Sequence, residues 1–237
     1  MLLKLLFSLS TLSAAVLGLA ANGRSEATGY LDNYKGFPYV DSRYTGGAQA
    51  IPGRVQCAYY DIGGEGIAYH DTTYKNEGSG GLNPADGSYL NEFRMHEGVD
   101  TSYTKFHDAI DNNSYGMVKV EENQLYVGWT EPGEWFNITV NAAHAGEYSA
   151  DLLYTSNRGG TIALDVNGER ADDPIKITSI YNPADPIGWR QWHHWNVTHD
   201  VGRVKLIAGK NVLTVRILTE GNMNLAWFDF HDSASKE

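Results

Sequence analysis

Two glutamates, Glu131 and Glu134, flank a Pro-Gly pair, and paired carboxylates are what hydrolysis of a glycosidic bond requires. Such a pair works at about 5–5.5 Å when configuration is retained, or about 6.5–9.5 Å when it is inverted. Spacing on a turn does not set that distance, and a solvated turn is the plainer reading. His70 and Tyr69 offer a second candidate acid–base pair. His193 and His194 are adjacent; on a strand they point to opposite faces and do not chelate one ion together. The single cysteine, Cys57, excludes both an intramolecular disulfide and a cysteine zinc site, and within a short apolar run it reads as a small buried hydrophobe. Asp165-Val-Asn-Gly168 opens like a calcium loop but lacks the later ligands and the closing glutamate. No Gly-x-Ser-x-Gly elbow, His-Glu-x-x-His helix or phosphate-binding loop occurs.

What is left is aromatic and polar. A sugar ring presents an apolar C–H face and a rim of hydroxyls, so a protein that binds it needs exposed aromatic planes and amides or carboxylates beside them. Six tryptophans and 15 tyrosines exceed what one sandwich core needs. Trp189 follows Gly188 and the Pro183-Ala-Asp-Pro186 loop, a position suited to exposure at a loop rim, whereas Trp192, Trp195 and Trp227 read as core. The formal net charge of −11 argues against a nucleic-acid partner.

The elements that must carry these residues are mostly strands. Met1 to Ala20 has the basic, apolar and small-residue segments of a secretory signal peptide, with cleavage expected near Ala20 or Ala21. No other long apolar run follows, so no membrane partner is expected and the product should be secreted and extracellular. Residues 21–50 read as an extended segment, residues 51–230 as the domain, and residues 231–237 as a tail. Val55–Tyr59, Tyr126–Trp129, Glu134–Val140, Gly146–Tyr154, Thr161–Val166, Trp192–Thr198, Val201–Ile207, Asn211–Leu218 and Asn224–Phe230 read as strands. Asn167-Gly168 is the strongest hairpin signal, because both residues tolerate positive φ. Strands at this spacing without a helical period predict an all-β fold, an antiparallel β-sandwich.

Several segments, in order, resemble a family 6 carbohydrate-binding module. They are Ile51-Pro-Gly53, Tyr60-Asp61, Gly63-Gly-Glu-Gly-Ile-Ala-Tyr-His-Asp-Thr-Thr73, Glu97-Gly-Val-Asp100, Tyr126-Val-Gly-Trp-Thr-Glu-Pro-Gly-Glu-Trp135, Gly188-Trp-Arg-Gln-Trp192 and Asn224-Leu-Ala-Trp-Phe-Asp-Phe230. The resemblance implies a jelly-roll-like sandwich without catalysis that binds poly- or oligosaccharide in a cleft among loops at one edge. It places the two gripping aromatics at Phe93, followed by Arg94, and at Trp189. It places the hydrogen-bonding amide at Asn224 and a further hydroxyl partner at Glu65. Phe93 stands where the family has a tyrosine, which keeps a stacking face and loses a hydroxyl. The family's structural calcium would lie near Gln56 and Asp229, but Gln56-Cys57-Ala58 replaces the usual Glu-Ala-Glu, so the ligand set is depleted. The loop from Asn76 to Asn91 and the segment from Thr101 to Gln124 are longer than the family's. With little chain outside the module, any catalysis is expected from separate carbohydrate-active enzymes as partners or from the module itself. The competing expectations are a sandwich glycosidase or lyase, and an adhesion protein without sugar specificity.

Overall fold

A computed structural model describes residues 28–233, so the expected signal peptide and its expected cleavage point lie outside the described residues. Two sheets face each other. The first contains β1 (Gln49–Ile51), β3 (Tyr69–His70), β6 (Trp135–Ala142), β8 (Gly160–Val166), β9 (Glu169–Arg170), β10 (Ile175–Ile177) and β12 (Gly209–Thr219). The second contains β2 (Gly53–Gln56), β4 (Thr101–Tyr103), β5 (Leu125–Val127), β7 (Gly146–Ser156), β11 (Asn196–Leu206) and β13 (Met223–Asp232). In the first sheet the order is β1-β6-β12-β8-β10, in the second β11-β7-β13-β5-β4. Every pairing is antiparallel except β1 with β6. This is the expected antiparallel β-sandwich. Strand alternation sends Ala150, Leu152, Phe228 and Phe230 inward from the second sheet to meet Ile138, Val140, Leu213 and Val215 of the first, all of them buried.

A second apolar layer, formed by Tyr126, Leu153, Trp195 and Ala226, covers the outer face of the second sheet. Val118 and Val120 pack on it from the long segment after β4, so that segment acts as a lid over the sheet rather than as a solvated loop. Asn167 and Gly168 form the hairpin turn between β8 and β9 with φ of 50° and 86°. A Cβ at Gly168 would also sit 2.6 Å from the Tyr30 ring, so the same glycine lets the N-terminal segment lie against the first sheet.

Several boundaries differ from the sequence expectation. Residues 28–33 are helical rather than extended, and Tyr39 is buried with Ala58, Phe93 and Leu125. β1 begins at Gln49, ahead of the expected boundary at residue 51, and β13 runs on to Asp232, into the expected tail. Strand β2 ends at Gln56, and Cys57–Tyr59 turn as a 3₁₀ helix. There the chain leaves the second sheet for the first, where Asp61 N donates to Asn137 O at 2.7 Å. The expected strand from Trp192 to Thr198 is divided: Gly188–His193 form a 3₁₀ helix and β11 starts at Asn196. Buried Asp185 causes the division, accepting from Arg190 at 2.7 and 2.8 Å and pairing with His194 Nε2 at 2.8 Å.

Candidate functional site

A groove of about 740 Å³ lies over the β4–β5 edge of the second sheet, walled by Leu82–Asn91, Lys105–Ile110 and the Gly188–His193 turn. That volume falls in the usual range for ligand pockets, about 300–1,000 Å³. Five aromatics line it: Tyr103, Tyr126, Trp129, Trp189 and Trp192. Asn83, Asn91, Asn222 and Asn224 supply amides, and Lys105, His107 and His193 the basic groups; no Asp or Glu is among its lining residues.

Each wall is held from behind. Trp189 is 53% exposed at the rim, on a turn anchored by the Asp185–Arg190 pair. The Arg190 hydrogen bonds hold the Asp185 carboxyl well below the usual carboxylate range, so the anchor stays ionised. His193 meets the Trp189 ring edge-on and is itself held by buried Asp111 at 2.9 Å. Tyr103 ends edge strand β4; its hydroxyl donates to Asn91 at 2.8 Å, and the Lys105 ammonium lies 4.2 Å from its ring centre. Burial lowers the pKa of Lys105, whose ammonium donates to Ser102 Oγ and Tyr103 O at 3.3 Å. Asn224 Nδ2 donates to Trp192 O at 2.8 Å. Its Oδ1 lies against Gly128, where an added Cβ would approach it to 2.7 Å. The indole N–H of Trp192 is buried with no hydrogen-bond acceptor among the described residues.

The structure brings Trp189 and Asn224 together on this groove and leaves Phe93, Arg94 and Glu65 off it. The placement of Phe93 is corrected: it is 2% exposed, with its ring enclosed by Tyr39, Tyr59 and Tyr89. No face is left for a sugar. The Arg94 guanidinium is buried over the Tyr60 ring, ion-paired to Glu97 at 2.7 Å and donating to the carbonyls of Tyr60 and Asp61. It ties its own loop to the Tyr60–Asp61 segment and is spent on that. Glu65 braces its own loop through His70 Nδ1 and Asp71 N and does not line the groove. Trp192, expected in the core, is half-buried and lines the groove instead, and Trp227 lies half-buried under Arg54; Trp195 is fully buried as expected. Sequence reasoning missed Tyr103, Trp129 and Lys105. The one available signal was the length of the segment after Thr101, which carries two of the three.

Glu131 and Glu134 do approach one another, both accepting from the Thr72 hydroxyl, at 3.0 and 2.7 Å. Glu134 is buried, and its second oxygen accepts from Glu131 N at 2.7 Å, so it braces the turn. Neither glutamate lines the groove.

The residues expected to hold calcium do not fit it. Gln56 and Asp229 lie on one face of neighbouring strands, with Gln56 opposite Trp227 and Asp229 opposite Arg54. The Arg54 guanidinium lies over the Trp227 ring and 4.0 Å from Asp229, so a cation is already built in beside that carboxylate. Gln56 Oε1 accepts from Gln124 at 2.8 Å, and the Gln56 backbone is bonded on both sides by the Gln49 amide. Calcium needs six to eight oxygen ligands, and this face offers few that are not already engaged.

No protein-family model matches the chain, and no curated protein matches it. Its structural neighbours include carbohydrate-binding modules of families 6 and 35, and also chains of carbohydrate-active enzymes such as a GH26-CBM35 mannanase from Podospora anserina. The carbohydrate binding module CBM6cm-2 from Cellvibrio mixtus lichenase 5A, in complex with cellotriose, is 19% identical over 57% of this chain and 88% of that one, with a TM-score of 0.41. A family 35 module from Clostridium thermocellum is 17% identical over 56% of this chain and 88% of that one, TM-score 0.39. The C-terminal family 6 module of a marine laminarinase from Zobellia galactanivorans is 17% identical over 46% and 82%, TM-score 0.38.

Proposed function

We propose that the groove binds a poly- or oligosaccharide and that the chain acts without catalysing a reaction on it. The observation that carries this reading is the convergence on one groove of the half-exposed Trp189 ring, the Tyr103 ring and the Asn224 amide. Aromatic faces take the apolar side of a pyranose, and the neighbouring amides take its hydroxyls. The lining residues include no carboxylate, so the acid pair that glycoside hydrolysis uses is not provided at this place. The reading includes export, which rests on the pattern of Met1 to Ala20, and action alongside separate carbohydrate-active enzymes. Among the described residues no helix is long and apolar enough to cross a membrane.

A pull-down on insoluble polysaccharides and a glycan array, run on the full chain and on Trp189→Ala, test the binding. Retention by the parent and loss by the variant are expected; no retention on any glycan would overturn the reading. A reducing-sugar assay on the retained polysaccharides should show no release. Release that Glu134→Gln abolishes would make the protein a hydrolase. Mass spectrometry of the secreted product, expected to begin near Ala21 or Asn22, tests the export.

A further inference from the structure

Away from the groove, two carboxylates and two imidazoles meet on the outer face of the second sheet: Asp151 of β7, His199 and Asp200 of β11, and His231 of β13. Strand alternation puts Ser149 and Asp151 on that face, and register places His231 opposite Ser149. Adjacent residues of a regular strand point to opposite faces, so His199 and Asp200 would not both reach Asp151. A bulge makes it possible. Thr198 pairs with Leu152 and Val201 with Ala150, so two residues of β11 stand against the single Asp151. Asp200 takes φ of 54°, a left-handed conformation that Asp and Asn adopt more readily than most residues.

The resulting contacts are short. His199 Nδ1 lies 2.6 Å from one Asp151 oxygen, and Asp200 N donates to the other at 3.1 Å. His231 Nε2 lies 3.1 Å from Asp200 Oδ1 and 2.9 Å from Ser149 Oγ. One ligand atom each from Asp151, Asp200 and His231 falls within 4.8 Å of the others. All three side chains are partly open to solvent, which gives an ion a way in and room for a water ligand. Asp229, opposite Asp151 on β13, is turned to Arg54 and stands outside the set.

The geometry points to a divalent transition-metal site of the zinc class at Asp151, Asp200 and His231, completed by water. Two carboxylate oxygens and one imidazole nitrogen are a borderline donor set, which zinc accepts at about 2.0–2.2 Å in a four-coordinate shell. Calcium, which takes oxygen ligands only, is a poor match for the imidazole. The bound dication would neutralise two carboxylates that the bulge forces together. His199, already on the second Asp151 oxygen, would orient that ligand from the outer shell.

The site is independent of the sugar reading, and its test needs no sugar. The full chain, without an affinity tag and stripped of metal by chelation, is titrated with zinc chloride by calorimetry and with cobalt(II) in the visible spectrum. One equivalent of zinc, a rise in melting temperature with zinc, and the absorption of low-coordinate cobalt are expected. Asp200→Asn, which keeps a residue tolerant of the bulge conformation, and His231→Ala should each abolish the saturable site. His199→Ala should weaken it about 10–100-fold. The exposed His96 lies elsewhere, and His96→Ala should leave it intact. Excess calcium should not compete. If His231→Ala does not fold, Asp200→Asn decides. Failure of the parent to bind zinc stoichiometrically, or full binding by Asp200→Asn, overturns the proposal.

Discussion

The side-chain amide of Asn224 donates to the main-chain carbonyl of Trp192 at 2.8 Å, joining the start of β13 to the turn that carries Trp189. The Thr155 hydroxyl donates to the same carbonyl at 2.8 Å. Asn224 therefore positions one wall of the groove with its nitrogen, and its oxygen is the atom left for a ligand. Asn224→Ala should weaken sugar binding and also lower stability by about 1 kcal/mol, the net worth of one hydrogen bond, since Thr155 still satisfies the carbonyl. Denaturant melts beside sugar titrations would separate the two effects. Weakened binding with stability untouched would show that the Trp192 bond is dispensable.

Trp189→Ala should lose binding without the loss of stability. Removing a central aromatic anchor costs about 2 kcal/mol or more, roughly thirtyfold in affinity. The ring is half exposed, so the melting temperature should barely change. A variant that unfolds would assign the ring to the core; one that binds normally would move the ligand elsewhere.

Phe93→Ala should destabilise the fold by about 3–5 kcal/mol, the range for a buried aromatic, because it removes the centre of the Tyr39–Tyr59–Tyr89 cluster. Urea denaturation measures this. Sugar affinity of the fraction that stays folded should be near normal. A stable Phe93→Ala protein that has lost its ligand would restore Phe93 to the binding site.

Calcium should leave the melting temperature where it is, with chelator and with excess ion alike, because Arg54 is the cation beside Asp229. A metal that binds only the native state must raise stability in proportion to its concentration over its dissociation constant. A rise with millimolar calcium that Asp229→Asn removes would reinstate the site.

Burial pushes the Asp100 carboxyl up to about 7 and the Asp71 carboxyl up to about 6, with Glu134 adding like charge beside both. A carboxyl raised in this way binds its proton more tightly folded than unfolded. The native state therefore holds more protons between about pH 4 and pH 7, and stability falls as pH rises through that window. Thermal melts should show the protein more stable near pH 5 than near pH 8. Asp100→Asn should flatten that slope, since its amide oxygen still accepts from Glu77 N. A slope unchanged in Asp100→Asn would place its cause elsewhere.

Alternation and turn chemistry are local properties, and they were enough for the long strands β6, β7 and β8. The runs at Glu134–Val140, Gly146–Tyr154 and Thr161–Val166 each became a strand within a residue or two, and Asn167-Gly168 became the turn its two positive-φ residues allow. Trp189 was legible as a rim residue because Gly and Pro around it interrupt the strand pattern. The rest was decided by which residues meet across the fold. Phe93 looks like any aromatic in sequence; it is buried because Tyr39, more than fifty positions away, and Tyr59 close over it. Tyr103 and Lys105 face the groove because β4 is the edge strand next to β5, a matter of sheet order that no local pattern records. Arg54 sits beside Asp229 through the register of β2 with β13, and two adjacent residues of β11 reach one aspartate through a bulge. Alternation fixes which face a side chain takes. Register, sheet order and bulges fix its neighbours, and binding depends on neighbours.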